Sequence, residues 1–218
     1  MIPAIVVLMA VGVAALVAGV VWLGKIEERK RTEAMEAACR LMGFAFEPEA
    51  SLDALKTFGD LPLYGHGHSK QVRNVMTGKA GEREVKFFDY AFVIGSGDDA
   101  HTYAQSVALF PGTHLPDFTL QPETFLDRIA SKLGAQDIDF DASPEFSKAY
   151  RLSGPDETRI RSAFGAGALH FFEENPHWWV ETLGGAAAIY RSQKLCRPAE
   201  AQAWLDERRA VLRALVPD

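Results

Sequence analysis

The stretch Glu84-Val-Lys-Phe-Phe-Asp-Tyr-Ala-Phe-Val-Ile94 decides the fold class. It is rich in aromatic and β-branched side chains, which suit a pleated, half-buried surface. Gly95-Ser-Gly-Asp-Asp99 follows as a turn cluster, and residues 102–110 return to strand composition. A β-hairpin is therefore predicted over 84–110. A second is predicted where residues 178–183 and 186–191 flank Gly184-Gly185, because paired glycines supply the positive φ values of a tight hairpin turn. Helix signals surround these hairpins. Pro122 opens a predicted helix through Leu133, closed by Gly134. Gly154-Pro155-Asp-Glu157 starts another, with Ile160, Phe164, Ala168, Phe171 and Phe172 on its apolar face before Asn175-Pro176. Pro198 begins the last, with Trp204, Leu205, Val211, Leu212 and Leu215 available for packing. Residues 137–141 alternate as a half-exposed strand does, 146–152 suggest a further strand, and 44–82 read as irregular and glycine-rich. No low-complexity linker interrupts the chain. The reading is a single α+β domain over residues 44–218, built of antiparallel β-hairpins packed with about three helices.

The amino-terminal region has a different character. Residues 1–24 carry no charged side chain, and 2–23 form an unbroken apolar run. As a helix this run would be about 33 Å long, matching a hydrocarbon core of about 30 Å. Pro3 falls in the first turn and Trp22 at the far end, where an indole suits the headgroup boundary. A signal peptide would want a basic start and a shorter run. The expectation is a transmembrane helix over 1–24, embedded in lipid through residues 2–23, continuing as a helical stalk over 25–43. Lys25, Arg29, Lys30, Arg31 and Arg40 follow the run, so the positive-inside rule places the domain in the cytoplasm and the amino terminus outside the inner membrane. Glu27 with Arg31 and Glu36 with Arg40 have i, i+4 spacing. Ala34, Met35, Ala38, Cys39, Leu41 and Met42 form the stalk's apolar side, and Gly43 is placed to end it.

Composition narrows the function. Of 218 residues, 48% are hydrophobic and 24% charged, the proportions of a folded chain. The formal net charge of −6 argues against nucleic acid as a partner. Two cysteines, Cys39 and Cys196, are too few for a disulfide scaffold. Gly65-His66-Gly67-His68 puts two imidazoles where a strand would turn both to one metal, with His101, His114 or His177 to complete it. The flanking glycines favour an exposed loop instead. Asp137, Asp139, Asp141 and Glu145 mimic a calcium loop, but Ala142 and Lys148 occupy the positions where glycine and a bidentate glutamate belong. Gly95-Ser-Gly97 is followed by strand sequence, where a phosphate loop requires a helix. No catalytic residue, cofactor or metal is assigned. His177-Trp178-Trp179 sends adjacent indoles to opposite faces of a strand. Either one is exposed to a partner or the sheet is covered on both sides.

The order Arg40-Leu-Met-Gly-Phe44, Phe88-Asp-Tyr90, Leu115-Pro-Asp-Phe-Thr-Leu-Gln-Pro-Glu123, Ile138-Asp-Phe140, Pro144-Glu-Phe146 and Tyr150-Arg-Leu-Ser-Gly-Pro-Asp-Glu157 resembles an uncharacterised family of bacterial single-pass membrane proteins with a cytoplasmic α+β domain. That resemblance implies a shared fold and no reaction. By topology alone, the chain is also similar to the H subunit of bacterial photosynthetic reaction centres. The leading expectation is a non-enzymatic accessory or stabilising subunit of a larger inner-membrane assembly, energy-transducing by that analogy. Its partners would be other membrane protein subunits, met through Gly12, Ala15, Gly19 and Trp22 in the span and Trp178 or Trp179 on the domain. The alternative is a tethered hydrolase or ligand-binding domain drawing on His66, His68, Asp89 and Asp139.

Overall fold

The computed structural model describes residues 4–123 and 137–216, except for the side chains of residues 4–8, 10 and 17. One antiparallel sheet of eight strands organises it, in the order β1-β2-β3-β4-β8-β7-β5-β6. The strands are β1 (Ala45–Ala50), β2 (His68–Ala80), β3 (Arg83–Ile94), β4 (His101–Phe110), β5 (Phe118–Pro122), β6 (Tyr150–Ser153), β7 (Trp179–Leu183) and β8 (Ala186–Tyr190). The helices are α1 (Ala4–Met42), α2 (Leu52–Lys56), α3 (Pro144–Ala149), α4 (Glu157–Ala163), α5 (Ala166–Glu174) and α6 (Ala201–Leu215). The fold class is α+β, with both predicted hairpins present as β3–β4 and β7–β8.

Alternation along the strands divides the apolar residues into two cores. Val85 and Phe87 of β3, Ala108 and Phe110 of β4, and Ile189 of β8 join Met35, Cys39, Trp204 and Leu205 on the face covered by α1 and α6. Phe88, Tyr90 and Phe92 take the other face with Val107, Tyr190 and Trp179, under a cover that contributes Leu55, Leu61, Leu63 and Tyr64. That cover is α2 followed by a 3₁₀ turn over Pro62–Gly65. A sheet clothed twice explains why the inner strands β3, β4 and β8 are rich in apolar residues on both faces.

Several expectations need correction. The segment 44–82 is not irregular: it contains β1 and the thirteen-residue β2. Residues 137–140 are extended without sheet pairing, and the suggested strand 146–152 is α3 running into β6. The helix predicted from Pro122 is replaced at its start by β5, where Pro122 pairs with Tyr150; most of the remainder lies outside the described residues. The long helix predicted after Gly154 is broken into α4 and α5 at Gly165.

The stalk helix runs unbroken through residue 42, and its carboxyl end closes as a Schellman turn. Gly43 has φ +71°, and the Phe44 N–H donates to the Cys39 carbonyl at 3.1 Å. Met35 and Cys39 are buried, but Leu41, assigned to the docking side, is 91% exposed. Before the docked part, the described large apolar side chains from Met9 to Leu23 stand clear of the domain at 53–69% exposure. Among the described residues no helix is long and apolar enough to cross a membrane.

Gly67 fixes where the cover joins β2. Its φ is +58°, and a Cβ there would lie 2.3 Å from the Val93 carbonyl oxygen. Gly97, with φ +60° and open space around it, carries the conformational requirement without the collision. Urea unfolding should therefore separate the two: Gly97→Ala costs about 1 kcal/mol, whereas Gly67→Ala costs roughly 3 kcal/mol because the backbone must also move. Equal losses would show that the close approach to Val93 is not constraining.

Candidate functional site

The densest polar construction lies where α1 crosses the sheet. Asp89 is on the same face of β3 as Val85 and Phe87, beneath the helix, and is 9% exposed. Its carboxylate accepts four hydrogen bonds. Arg31 Nε donates to Oδ2 and Arg31 Nη2 to Oδ1, both at 2.9 Å, in the bidentate geometry that makes such pairs strong. Asn74 Nδ2 donates to Oδ2 at 2.8 Å, and Ser106 Oγ to Oδ1 at 2.5 Å. Ser106 Oγ in turn accepts from the Cys196 N–H at 2.8 Å, and Arg31 Nη1 donates to the Cys196 carbonyl at 2.9 Å. One carboxylate thus joins α1, β2, β3, β4 and the segment leading to α6.

Local sequence makes this possible. The β2–β3 register advances by three residues on β2, from Arg73 to Met76, against two on β3, from Asp89 to Phe87. Asn74 occupies this bulge with φ +52°, a conformation that asparagine tolerates better than most residues. The bulge brings its amide to Asp89. Glu28, one turn before Arg31, pairs with Arg73. Arg40 keeps its expected helical partner, bonding Glu36 at 2.6 Å, whereas Arg31 is taken by Asp89 in place of Glu27. A cleft of about 140 Å³ beside the clamp is lined by Glu28, Arg31, Arg73, Asn74, Asp89 and Leu195, among others.

The opposite face holds a buried acid that sequence reasoning missed. Glu181 is fully buried on β7. Its Oε2 accepts the Leu63 N–H of the cover at 2.6 Å, and its Oε1 accepts the Tyr190 hydroxyl at 2.6 Å. Among the described residues no cation is bonded to it. Burial raises its carboxyl to about 7, against the smaller opposing effect of those two hydrogen bonds. Burial, with Glu181 next, also pushes the Tyr64, Tyr90 and Tyr190 phenols upward. The Tyr64 hydroxyl is buried without a hydrogen-bond partner. The only sequence signal was a glutamate inside an aromatic strand.

The remaining candidates are dispersed. Trp178 is buried in the α1-side core and Trp179 in the other, so the two-sided cover accounts for the pair and neither indole is open surface. The Arg191 and Arg208 guanidiniums lie 4.1 and 4.8 Å from the Trp178 ring, and Arg208 lies 3.6 Å from Trp204. Burial lowers Arg208 to about 9. His68 bonds the Gly95 carbonyl, whereas the His66 ring lies 6.0 Å from Phe92. Among the described residues no three metal-binding side chains come together. Asp137 accepts the Leu152 N–H, and the Asp139 carbonyl accepts from Arg161. No hydrogen bond joins any two of His66, His68, Asp89 and Asp139. Cys39 and Cys196 are both buried and free; burial raises Cys196 to about 12. Among the described residues nothing lies within 4 Å of where a Cβ would stand on Gly12 or Gly19, and Trp22 is 64% exposed.

Two outcomes follow from this geometry. Asp89→Ala leaves Arg31 without its carboxylate and should lower the unfolding free energy by roughly 3 kcal/mol, while increasing amide exchange over residues 28–40. Unchanged exchange there would show that the apolar docking of Met35 and Cys39 suffices. For Glu181, a folded value of about 7 above the ordinary 4.5 means that the folded state holds the proton more tightly. The associated stability is complete below pH 4.5 and is lost as pH rises to 7. Denaturation between pH 5 and 8 should show a fall on the order of 2–3 kcal/mol, absent in Glu181→Gln. The same slope in both proteins would remove Glu181 as its source.

No family model matches the chain, and no curated protein matches it. Among solved structures it is similar to the mycobacterial trehalose monomycolate transport factor A, TtfA, with a TM-score of 0.56 at 12% identity. The match covers 85% of this chain and 92% of that one, and at this identity the likeness is one of fold.

Proposed function

We propose that this chain is a membrane-anchored, non-enzymatic interaction domain, serving as an accessory subunit of an inner-membrane assembly. Residues 1–24 would cross the membrane with the amino terminus outside, and 44–218 would lie in the cytoplasm. The observation that carries this reading is a helix with two environments. Its first half presents large apolar side chains without a domain to cover them. Its second half is held by the bidentate Arg31–Asp89 pair and the buried Met35 and Cys39. The uncharged run of residues 2–23 and the basic group that follows support the same arrangement.

A clamp of this kind suits a subunit that must hold a fixed pose, because rigid attachment of domain to span restricts the orientations presented to a partner. Gly12, Ala15 and Gly19 offer small side chains for close helix approach, with Trp22 at the boundary. The fold shared with a transport factor favours an accessory role in transport over the energy-transducing analogy. Full-length protein carrying a reporter after Asp218 should read as cytoplasmic. Replacing residues 1–24 with an unrelated span should preserve membrane residence and thermal melting but weaken recovery of the partner subunit. A periplasmic reporter, or recovery of the chain in the soluble fraction, would overturn the anchor. Undiminished partner recovery with the foreign span would move recognition to the domain surface.

A further inference from the structure

Beside the β2–β3 turn lies a groove of about 460 Å³. It is lined by Ala80, Glu82, Arg83, Phe110, Arg209, Leu212, Arg213 and Val216. Its floor is apolar: Phe110 and Leu212 are buried members of the core, and Val216 packs against them. Among the described residues three arginines face one acid around it, on a chain whose overall charge is −6. Arg83 opens β3, whereas Arg209 and Arg213 come from the last two turns of α6. Among the described residues neither Arg83 nor Arg213 has an ion-pair or hydrogen-bond partner. The carboxyl end of α6 accounts for a cation at Arg213, but Arg83 comes from another element.

The third arginine is positioned by the backbone. Arg209 Nη1 bonds Asp206 Oδ1 at 3.1 Å, and its Nη2 lies 2.8 Å from where a Gly81 Cβ would be. Gly81, at φ +69° in the β2–β3 turn, leaves room for the guanidinium to lie across that turn. We infer that this groove binds a small anionic amphiphile, with a phosphate or carboxylate held by the Arg83, Arg209 and Arg213 guanidiniums and a short hydrocarbon chain against Val216 and the rims of Ala80 and Leu212. Guanidinium forks match the planar oxygens of such head groups. The groove's volume lies within the usual small-ligand range of about 300–1,000 Å³.

Position separates a free ligand from a bilayer surface. The docked part of α1 begins beside Arg73 and Asp89 and ends beside Ala45, whose neighbour across the sheet is Thr77. Followed toward its carboxyl end, α1 runs toward the β2–β3 turn, so its apolar half extends the opposite way. Lipid headgroups around that half therefore lie remote from the arginines, which favours a ligand that arrives dissolved.

The test uses full-length protein in uncharged phosphatidylcholine nanodiscs, titrated calorimetrically with hexyl phosphate, inorganic phosphate and hexanol. Hexyl phosphate should bind at least tenfold more tightly than either other probe. Arg83→Gln combined with Arg213→Gln should weaken it at least tenfold without changing the melting temperature, since neither side chain is paired among the described residues. Glu82→Gln, which removes the lining acid, should tighten it several-fold. Inorganic phosphate binding as well as hexyl phosphate would overturn the apolar half of the assignment. Indifference to the double substitution and to Glu82→Gln would overturn the site itself. Tighter, arginine-dependent association with phosphatidylglycerol nanodiscs than with hexyl phosphate would overturn the dissolved ligand in favour of a membrane surface.

Discussion

The arrangement of the molecule depends on one buried carboxylate. Asp89 satisfies four donors from three elements, and those donors are themselves tied to the Cys196 segment. A carboxylate placed under a helix would ordinarily be costly. Here its desolvation is offset by a bidentate guanidinium and two neutral donors, leaving it fully bonded. This is why a helix of 39 residues, of which only the last few turns touch the sheet, keeps a defined direction. Apolar packing by Met35 and Cys39 supplies attraction but little directional information. The Arg31 fork supplies the register.

The sheet's other face follows a different rule. Its cover is short and is joined at the centre to Glu181, an acid with no cationic partner among the described residues. The two polar centres are thus electrostatic opposites. Asp89 is ion-paired, whereas burial raises the Glu181 carboxyl to about 7. The first ties α1, β2, β3 and β4 together, and the second ties the cover to the sheet. Together with the Trp178 layer of Arg191 and Arg208, they show how much of this fold is specified by buried polar contacts. The arginine groove differs because it lies at the surface, with Arg83 and Arg209 half-buried and Arg213 exposed.

The sequence by itself determined what depends on neighbours in the chain. The β3–β4 and β7–β8 hairpins were legible because aromatic and β-branched runs flank glycine turns, and Gly184 and Gly185 do adopt positive φ. The stalk helix and its end at Gly43 were legible for the same reason. Strand β2 was hidden because its exposed or half-buried positions carry Ser69, Lys70, Gln71, Arg73 and Lys79, and a bulge at Asn74 breaks the alternation. The alternation of Asp137 to Asp141 misled because Asp137 spends its carboxylate on the Leu152 N–H, a contact no spacing encodes. Tertiary structure alone decided the partners of Arg31, 58 residues from Asp89, and of Glu181, 118 residues from Leu63. Each charge looks like an ordinary exposed residue until folding removes water from it, and its role is then set by whichever donor the sheet order brings within reach.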